Sequence, residues 1–398
     1  MSLEDEILAL TEKVQSTRGS LDDATRTKAL KAAQGLLGAL ASPPETIIKD
    51  VVLNPVLLMA LRIGVQIGLF QAIRDRQAEG VTNQEIADKS GASPIVVDQI
   101  LRSLASMGYV LEVDVQRYKP SPLTFAMADP IMEATIRACF DIGNYCTTYA
   151  PEYFRLNGNQ FPTSAEDTPF QLAKDTHLNY FAWLGQNPAL ANDFQQWMAV
   201  KEQTSPKWVD WFDVEGVILN GFDDKEHTNG ESGEVLLVDI GAGEGQYIHT
   251  FNDKFPNAPG RRVLQDLPQV VESITNSPEK TELMAHHFFT PQPVKGARAY
   301  YLHWILHDWT DEKARKILSH IAEAMEPGYS RLIINDQIIP DRDCDFGTAC
   351  ISIMMMLQVG SLERTEQQWR KLLASVGLTD AEFHQPPGSG EGIIVAKK

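Results

Sequence analysis

The stretch EVLLVDIGAGEGQYIHTF, residues 234–251, restricts the possible folds of this 398-residue chain most strongly. An apolar, strand-forming run leads directly into Gly241, Gly243 and Gly245, and a helical pattern follows. Glycine lets the backbone turn sharply at the carboxyl end of a strand and approach a ligand closely. The stretch therefore predicts a strand, a tight ligand-binding turn and a helix.

The same alternation continues along the chain. Strands are expected in 260–267, 297–305 and 329–339, with helices in 268–275 and 311–325. Strands that alternate with helices predict an α/β fold, here a Rossmann-like domain with a doubly wound, mostly parallel sheet.

The N-terminal half has a different pattern. An apolar helix in residues 42–73 must be buried, either in its own domain or against a second subunit. Residues 81–123 then show two short helices and two strands, as in a winged helix. Its second helix offers only Arg102 to phosphate and also carries Asp98, in a chain of net charge −18. Because phosphate neutralisation dominates DNA affinity, a scaffold is favoured over a DNA reader.

Composition and termini also limit the class of protein. The negative net charge argues against nucleic acid and anionic membranes as partners. The N-terminus lacks a signal peptide pattern, and no apolar stretch approaches the ~20 residues of a membrane span. The four cysteines form no CxxC pair, so reduced thiols and a cytoplasmic location are expected.

Two acidic residues mark the expected ligand site. Asp239 precedes the glycines, and Asp266 ends the next strand in VLQDLPQVV, where a carboxylate suits the two hydroxyls of a ribose. The GxGxG spacing resembles class I S-adenosylmethionine-dependent methyltransferases. A dinucleotide fingerprint would place its third glycine later, so that a pyrophosphate could lie on the helix N-terminus.

Taken together, VDIGAGEG, LQDLP, HWILHDW and LERTEQQWRKLLASVGL resemble the caffeic-acid-type small-molecule O-methyltransferases of plants and fungi, over roughly residues 40–398. GARAYYLHWILHDW and HFFTPQPV are similar to the fungal secondary-metabolite branch. The resemblance implies a methyltransferase that uses S-adenosylmethionine, releases S-adenosylhomocysteine, acts on a small molecule and needs no metal.

The resemblance also implies an organisation into three parts. Residues 1–130 would form a mainly helical, winged-helix dimerisation domain that makes the protein a homodimer. Residues 131–230 would form a helical linker that contributes to the substrate pocket. Residues 231–398 would bind the cofactor, and the polar connector at 220–234 marks the start of that domain.

Carried over by position, His307 stands where the family has its general base, with Asp336 and Glu363 as the acids that hold and polarise it. The first acid is usually Glu, so Asp336 is one methylene shorter. A neutral imidazole suits the removal of a proton from a hydroxyl near neutral pH.

The cofactor side departs from the family pattern at two positions near the adenine. His287 replaces the usual Asp, and His303 replaces a Lys or Arg. A metal shared by His303 and His307 is disfavoured, because the pair spans a strand end and no third ligand is evident. The complete expected cofactor set is Asp239, Gly241, Gly243, Asp266, Leu267, His287, Phe288 and His303.

The substrate side is predicted from the segment DFQQWMAV and from residues next to the base. The candidates are Phe194, Trp197, Met198, Asp308 and Met355. Because aromatic and Met side chains at helical spacing also form ordinary cores, a packing role is the alternative for each.

The departures at His287 and His303 favour a second interpretation of the whole chain. Some fungal relatives keep the methyltransferase fold but act as pericyclases or dehydratases and have lost methyl transfer. Retention of His307 and Glu363 argues for methyl transfer, because the pericyclase relatives tend to replace the base with Arg or Lys.

Overall fold

The computed structural model describes residues 2–204, 206–222, 234–386 and 390–398, and the chain divides into two units. The first comprises Met1–Tyr145 and Phe181–Thr204, and the second comprises Cys146–Tyr180 and Ser205–Lys398. The predicted linker 131–230 is thus shared between the units. Most of the polar connector at 220–234 lies outside the described residues.

The first unit is mainly helical. Its helices are α1 (Leu3–Thr17), α2 (Asp23–Leu40), α3 (Pro43–Ile48), α4 (Asn54–Gln66), α5 (Leu69–Arg74), α6 (Asn83–Ser90), α7 (Pro94–Ser106), α8 (Pro122–Met127) and α9 (Pro130–Ala138). Three strands, β1 (Val81–Thr82), β2 (Val110–Asp114) and β3 (Arg117–Pro120), form an antiparallel sheet in the order β1-β3-β2. Helix α10 (Tyr145–Leu156) begins at its boundary, and α12 (Tyr180–Gly185) and α13 (Pro188–Thr204) complete it.

Local sequence explains the winged-helix segment. Thr82 caps α6 through the backbone N–H of Glu85, whose carboxylate accepts from the Thr82 N–H in return. Gly91, at φ 72°, ends the helix in a left-handed conformation. Pro94 then starts α7, at a helical position where its missing N–H costs no hydrogen bond.

The predicted apolar helix, residues 42–73, forms α3, α4 and α5; residues 42–56 are exposed, and the buried positions lie in residues 60–73. Ala60, Leu61, Gly64 and Val65 of α4 pack into a core with Phe70 and residues of α7. On α7, Arg102 pairs with Asp98 at 3.0 Å from Nε to Oδ2. Arg102, the basic side chain that this helix could offer to a DNA phosphate, is therefore paired with an acid of the same helix. This pairing supports the scaffold interpretation.

The second unit contains the predicted α/β sheet. Its strands are β4 (Val235–Ile240), β5 (Arg261–Asp266), β6 (Thr281–Ala285), β7 (Ala299–His303), β8 (Arg331–Asp336), β11 (Asp380–His384) and β12 (Gly392–Lys397), in the order β11-β12-β8-β7-β4-β5-β6. The pairings from β8 to β6 are parallel, and β12 pairs antiparallel with β8 and β11. Strands β9 (Ile338–Ile339) and β10 (Arg364–Thr365) form a separate two-stranded parallel pair.

Seven further helices belong to the described part of this unit. They are α11 (Pro169–Lys174), α14 (Trp208–Trp211), α15 (Gln246–Lys254), α16 (Pro268–Ser273), α17 (Asp311–Ala324), α18 (Phe346–Val359) and α19 (Glu366–Ala374). Residues of α14, α15, α17 and α19 among them contribute to the two apolar cores that flank the sheet. Along β7, Tyr300 and Leu302 join one apolar core while Ala299 and Tyr301 join another. Alternate side chains therefore face opposite layers, and the sheet is buried on both sides as parallel sheets require.

The α/β prediction is confirmed, and every strand predicted from the alternation is present. The antiparallel strands β11 and β12 and the edge strand β6 were not predicted. Strand β6 has no fully buried residue, so its sequence, TELMA, lacks the continuous apolar run that marks the central strands. Among the described helices, none combines the length and apolarity needed to cross a membrane.

Candidate functional site

The glycine turn after β4 has the geometry that its sequence predicts. Gly241, Gly243 and Gly245 all have positive φ, at 72°, 56° and 85°. A Cβ on Gly241 would lie 2.5 Å from Cδ1 of Ile305, so a side chain has no room there. A Cβ on Gly243 would meet only Oε1 of Gln246, at 3.9 Å, so the backbone is open to an approaching ligand.

Asp266 is held beside this turn. Its carboxylate accepts hydrogen bonds from the backbone N–H of Gly243 at 2.8 Å and of Leu267 at 2.7 Å. The two predicted cofactor residues, Asp266 and Gly243, are thus brought together across 23 positions of sequence. Leu267 contributes through its backbone, which orients the carboxylate at the end of β5.

Asp239 is the buried member of the acidic pair. It is 1% exposed, and within the described residues its Oδ2 accepts no hydrogen bond. Burial, and then the negative charge of Asp266, raise the pKa of Asp239 to about 8. A cationic ligand at this edge would stabilise both carboxylates, so the turn fits S-adenosylmethionine, which carries positive charge and ribose hydroxyls.

His287 and Phe288 follow β6. Phe288 is half-buried, and one ring carbon would lie 3.8 Å from a Cβ on Gly241, so this side chain borders the glycine turn. His287 is exposed; its Nδ1 accepts the N–H of Phe289 at 3.3 Å, and its ring contacts that of Phe288. In this arrangement the imidazole supports its own turn.

His303 ends β7 within an aromatic group. Its ring lies 4.0 Å from that of Tyr247 and stacks on that of Trp304 at 4.5 Å, centroid to centroid. The Tyr247 hydroxyl is 3.1 Å from Nε2 of His303. Tyr247 belongs to the helix after the glycine turn and was not predicted as a site residue, because its position in that helix suggests only packing.

His307 lies on a short 3₁₀ turn, Leu306–Asp308, just after β7. The preceding Trp304 has φ 49°. This left-handed conformation is energetically unfavourable for a bulky L-amino acid. The strained residue changes the direction of the chain at the strand end, and His307 is then buried, with 8% of its surface exposed.

Two distant acids meet this imidazole. Nδ1 of His307 is 2.9 Å from Oε1 of Glu363 and 3.7 Å from Oδ1 of Asp336, while Nε2 is 3.6 Å from Oδ1 of Asp308. The parallel pair β9–β10 explains the arrangement, because it places Arg364 opposite Ile338. Glu363 precedes the first of these residues and Asp336 lies two positions before the second.

The contact with Glu363 determines which tautomer is useful. An ionised carboxylate only accepts hydrogen bonds, so Nδ1 must donate to Glu363 and the lone pair of the neutral ring lies on Nε2. Nε2 is therefore the atom that can receive a proton. Within the described residues, Oδ2 of Asp336 and Oε2 of Glu363 accept no hydrogen bond.

The charges of the group favour a protonated imidazole. Burial alone lowers the pKa of His307, but the carboxylates of Asp336, Glu363 and Asp308 outweigh it and raise the pKa to about 10. Burial raises the pKa of Asp336 to about 7, although the positive charge of His307 opposes this rise. The group thus stabilises an imidazolium after proton uptake.

The same three side chains are the one set in the described part of the chain whose geometry suits a metal ion. Ligand atoms of His307, Asp336 and Glu363 lie within 4.8 Å of one another. His303 is outside this set. A nitrogen and two carboxylates could coordinate a divalent cation, and they equally form a charge-stabilised base.

The predicted substrate residues divide between the units. Asp308 and Met355 lie in the second unit, with Asp308 beside His307 and Met355 half-buried on α18. Phe194, Trp197 and Met198 lie on α13 in the first unit. Their contact with substrate stays a prediction.

Known protein families match both the N-terminal and the C-terminal part of the chain. Residues 231–379 match the model of an O-methyltransferase domain, and residues 51–127 match an O-methyltransferase dimerisation domain. O-methyltransferase mpaG of Penicillium brevicompactum is 31% identical over 380 residues, which cover 94% of each chain.

Two solved structures resemble the whole chain. The structure of LepI in complex with SAM has a TM-score of 0.86 at 29% identity and covers 100% of both chains. A structure described as a pericyclic reaction enzyme has a TM-score of 0.85 at 29% identity, over 99% of this chain and 100% of that one.

Replacement of Glu363 tests the electrostatics of the group. We expect Glu363→Gln to lower the pKa of His307 from about 10 toward the usual ~6.5, because one stabilising carboxylate is lost. NMR titration of ¹³Cε1-labelled histidine would measure this, with the His307 signal assigned by its absence in His307→Gln.

Glu382→Gln provides the matched control. The carboxylate of Glu382 lies 3.8 Å from Nε2 of a different, half-buried histidine, His384, so its loss should leave the titration of His307 unchanged. An unaltered pKa of His307 in Glu363→Gln would contradict the assigned cause.

Proposed function

Since the chain belongs to the family of S-adenosylmethionine-dependent O-methyltransferases with an N-terminal dimerisation domain, we propose that it methylates a hydroxyl of an aromatic, polyketide-like or alkaloid-like secondary metabolite. The observation that carries this proposal is the buried contact of His307 with Glu363, which leaves Nε2 to receive the hydroxyl proton. The similarity to fungal O-methyltransferases supports the substrate class.

The chain's own groups account for the proton and the placement of the reaction. When bound, S-adenosylmethionine supplies a methyl group already activated by its positively charged sulfur. Nε2 of His307 takes the hydroxyl proton as the oxygen–methyl bond forms and the sulfur–methyl bond breaks. Glu363 and Asp336 then stabilise the imidazolium, and Asp308 lies 3.6 Å from Nε2.

The cofactor assignment rests on the glycine turn between β4 and α15 and on the end of β5. Asp239 and Asp266 place two carboxylates at the carboxyl ends of neighbouring strands. Gly241 is closely packed against Ile305, whereas the backbone at Gly243 is open to a ligand. Phe288 borders the same turn and would pack against the cofactor. The roles of His287 and His303 on the adenine side stay predictions.

A second function is favoured by one specific observation. The structure described as a pericyclic reaction enzyme is 29% identical and covers almost the whole chain. A pericyclase or dehydratase without methyl transfer would also account for histidines at positions 287 and 303. The location in the cytoplasm and the absence of nucleic acid or membrane partners stay predictions in either case.

Product mass and cofactor binding separate the two functions. The full chain is incubated with S-adenosylmethionine and a panel of hydroxylated aromatic, polyketide and alkaloid compounds, and products are analysed by mass spectrometry. Methyl transfer adds one CH₂ to the product, dehydration removes water and rearrangement leaves the mass unchanged. Calorimetry without detectable S-adenosylhomocysteine binding would reject the methyltransferase proposal.

We expect His307→Ala to lower methyl transfer by about 10²–10⁴-fold and to leave S-adenosylhomocysteine affinity nearly unchanged, because the base is lost but the cofactor residues remain.

In the wild type, kcat/KM should rise with pH toward about 10, since only the unprotonated imidazole accepts a proton and the pKa of His307 is raised to that value.

The variant should lose this rise along with the activity. His249→Ala, at a histidine that contacts the carbonyl of Asn276, serves as the control and should keep the wild-type profile. Wild-type turnover by His307→Ala would remove His307 from the mechanism.

We expect methyl transfer to need no metal, although His307, Asp336 and Glu363 could hold one. Overnight dialysis of the protein against EDTA should therefore leave kcat unchanged, because the carboxylates of Asp336 and Glu363 stabilise the imidazolium and bind no metal. Activity that is lost on chelation and restored by one divalent cation would instead assign these side chains as ligands.

We expect a homodimer formed through the N-terminal domain. None of the side chains of α1 is buried, and the same holds for α3. Large apolar residues are exposed along this region and at the start of α4: Leu3, Leu8, Leu10, Val14, Leu30, Leu36, Leu37, Leu40, Ile47, Ile48, Val51, Val52, Leu53, Val56 and Met59. Such an apolar surface typically marks a protein interface, and it continues into the matched dimerisation domain.

Substitution within this surface tests the dimer. Leu37→Glu with Leu40→Glu should shift the mass measured by light scattering toward the monomer, because buried charge at an interface costs free energy. Val115→Glu, at an exposed valine in the separate turn between β2 and β3, should leave the mass of the dimer unchanged. A dimer that persists in the double variant would place the interface elsewhere.

A further inference from the structure

Arg364 directly follows the acid that holds His307, yet it points to a different set of partners. Arg364 is 1% exposed, and an arginine is rarely this buried unless its charge and its donors are paired. Nη1 donates to the carbonyl of Leu306 at 2.8 Å, Nη2 donates to the carbonyl of Trp309 at 2.7 Å, and Nε donates to Oδ1 of Asp311 at 2.9 Å.

These two carbonyls enclose the turn that carries the imidazole. Leu306 immediately precedes His307, and Trp309 follows Asp308. The hydroxyl of Ser361 donates to the same Trp309 carbonyl at 2.9 Å. The segment that supplies Glu363 therefore also holds both ends of the turn on which His307 lies.

The arginine also connects this turn to the second acid. Its guanidinium lies 5.2 Å from the ring centroid of the buried Trp369. The indole N–H of Trp369 donates to the carbonyl of Gln337, the residue after Asp336. One side chain thus contacts the segments that carry His307 and Glu363, and packs on the ring that holds the segment of Asp336.

We propose that Arg364 is a positioning residue for proton transfer, which fixes His307 in hydrogen-bonding contact with Glu363. This inference rests on the proposed function and deepens it, because Arg364 acts through His307. The planar fork of arginine suits the task, since its donors point in fixed directions toward three acceptors. A lysine would keep the charge but could not occupy all three positions.

The charge of Arg364 has a second, supporting effect. Burial raises the pKa of Asp336, and the positive charge of Arg364 is among the groups that oppose this rise. Loss of the guanidinium would thus favour protonation of Asp336 and weaken its support for the imidazolium. The fork and the charge can be separated by experiment.

Two substitutions separate them, Arg364→Lys and Arg364→Met. We expect Arg364→Lys to lower kcat about 10²-fold, because a displacement of the base by about 1 Å is enough for such a loss. KM for S-adenosylmethionine and the affinity for S-adenosylhomocysteine should stay within about twofold. Arg364→Met should lose at least as much activity, since it lacks both the fork and the charge.

NMR provides a readout that a merely structural role would not change. In the complex with S-adenosylhomocysteine, the His307 Nδ1–H donated to Glu363 should give a downfield proton resonance. We expect this resonance to disappear in Arg364→Lys, although the far-UV circular dichroism stays that of the wild type. Because no substrate is needed, the resonance tests the proposal even if no methyl transfer is found.

Arg298→Met is the matched control. Arg298 is also buried and donates to the carbonyls of Val217, Ile218, Asn220 and Tyr329, away from His307. It should keep the resonance and the wild-type kcat. Equal losses in Arg298→Met and Arg364→Lys, or a wild-type resonance and kcat in Arg364→Lys, would overturn the proposal.

A milder variant covers the case in which both Arg364 variants fail to fold. Asp311 has a 63% exposed side chain, so Asp311→Asn removes the negative charge of one partner of the guanidinium without opening the core. Because the hydrogen bond then lacks the attraction of a carboxylate, we expect a smaller fall in kcat and a weaker downfield resonance. If folded Arg364 variants cannot be obtained and Asp311→Asn behaves as the wild type, the positioning role is rejected.

Discussion

The contact between Nδ1 of His307 and Oε1 of Glu363 is the interaction on which the rest of the site depends. Both side chains are buried, and removal of one partner from such a pair typically costs about 3–5 kcal/mol, because a charge is left unpaired in the interior. The neighbouring structure can be understood as support for this contact. The β9–β10 pair brings the acids together, and Arg364 holds the turn that carries the imidazole.

The parallel sheet explains why cofactor and base groups meet. Strands β4, β5, β7 and β8 run in one direction, so their carboxyl ends lie at a common edge. Asp239, Asp266, His303 and Asp336 all stand at those ends. The edge thus combines two functions: carboxylates beside the glycine turn suit a cationic cofactor, and an acid beside His307 suits proton uptake.

Fold similarity alone does not select between the two proposed functions, because one fold can host unrelated chemistries. The resemblance to a structure described as a pericyclic reaction enzyme, at a TM-score of 0.85, is nearly as extensive as that to LepI, at 0.86. The arrangement of His307 favours the proposal of methyl transfer over that of a rearrangement. An imidazole that donates from Nδ1 to Glu363 is arranged to accept a proton at Nε2, which methyl transfer to a hydroxyl requires and a rearrangement need not.

Much of the site could be predicted from the sequence because its groups belong to short local motifs. The glycine turn, Asp239, Asp266 and the turn of His307 each follow a strand whose apolar run is evident, and local backbone rules are sufficient to locate them. The edge strands β6 and β11 were missed, since partly polar strands carry little periodic signal; the inner strand β12 was also missed, although its residues 392–396 are buried. Tyr247 and Arg364 were missed because each has significance only through distant partners.

The sequence by itself determined the α/β class, the positive-φ glycines and the types of side chain at the strand ends, because these depend on residues close together in the chain. Only the tertiary structure decided that Glu363 lies 2.9 Å from His307 across 56 positions of sequence. The same holds for the hydrogen bonds from Arg364 to the carbonyls on either side of His307. The physical reason is that hydrogen bonds and pKa values depend on distances and burial, which are properties of the packed chain.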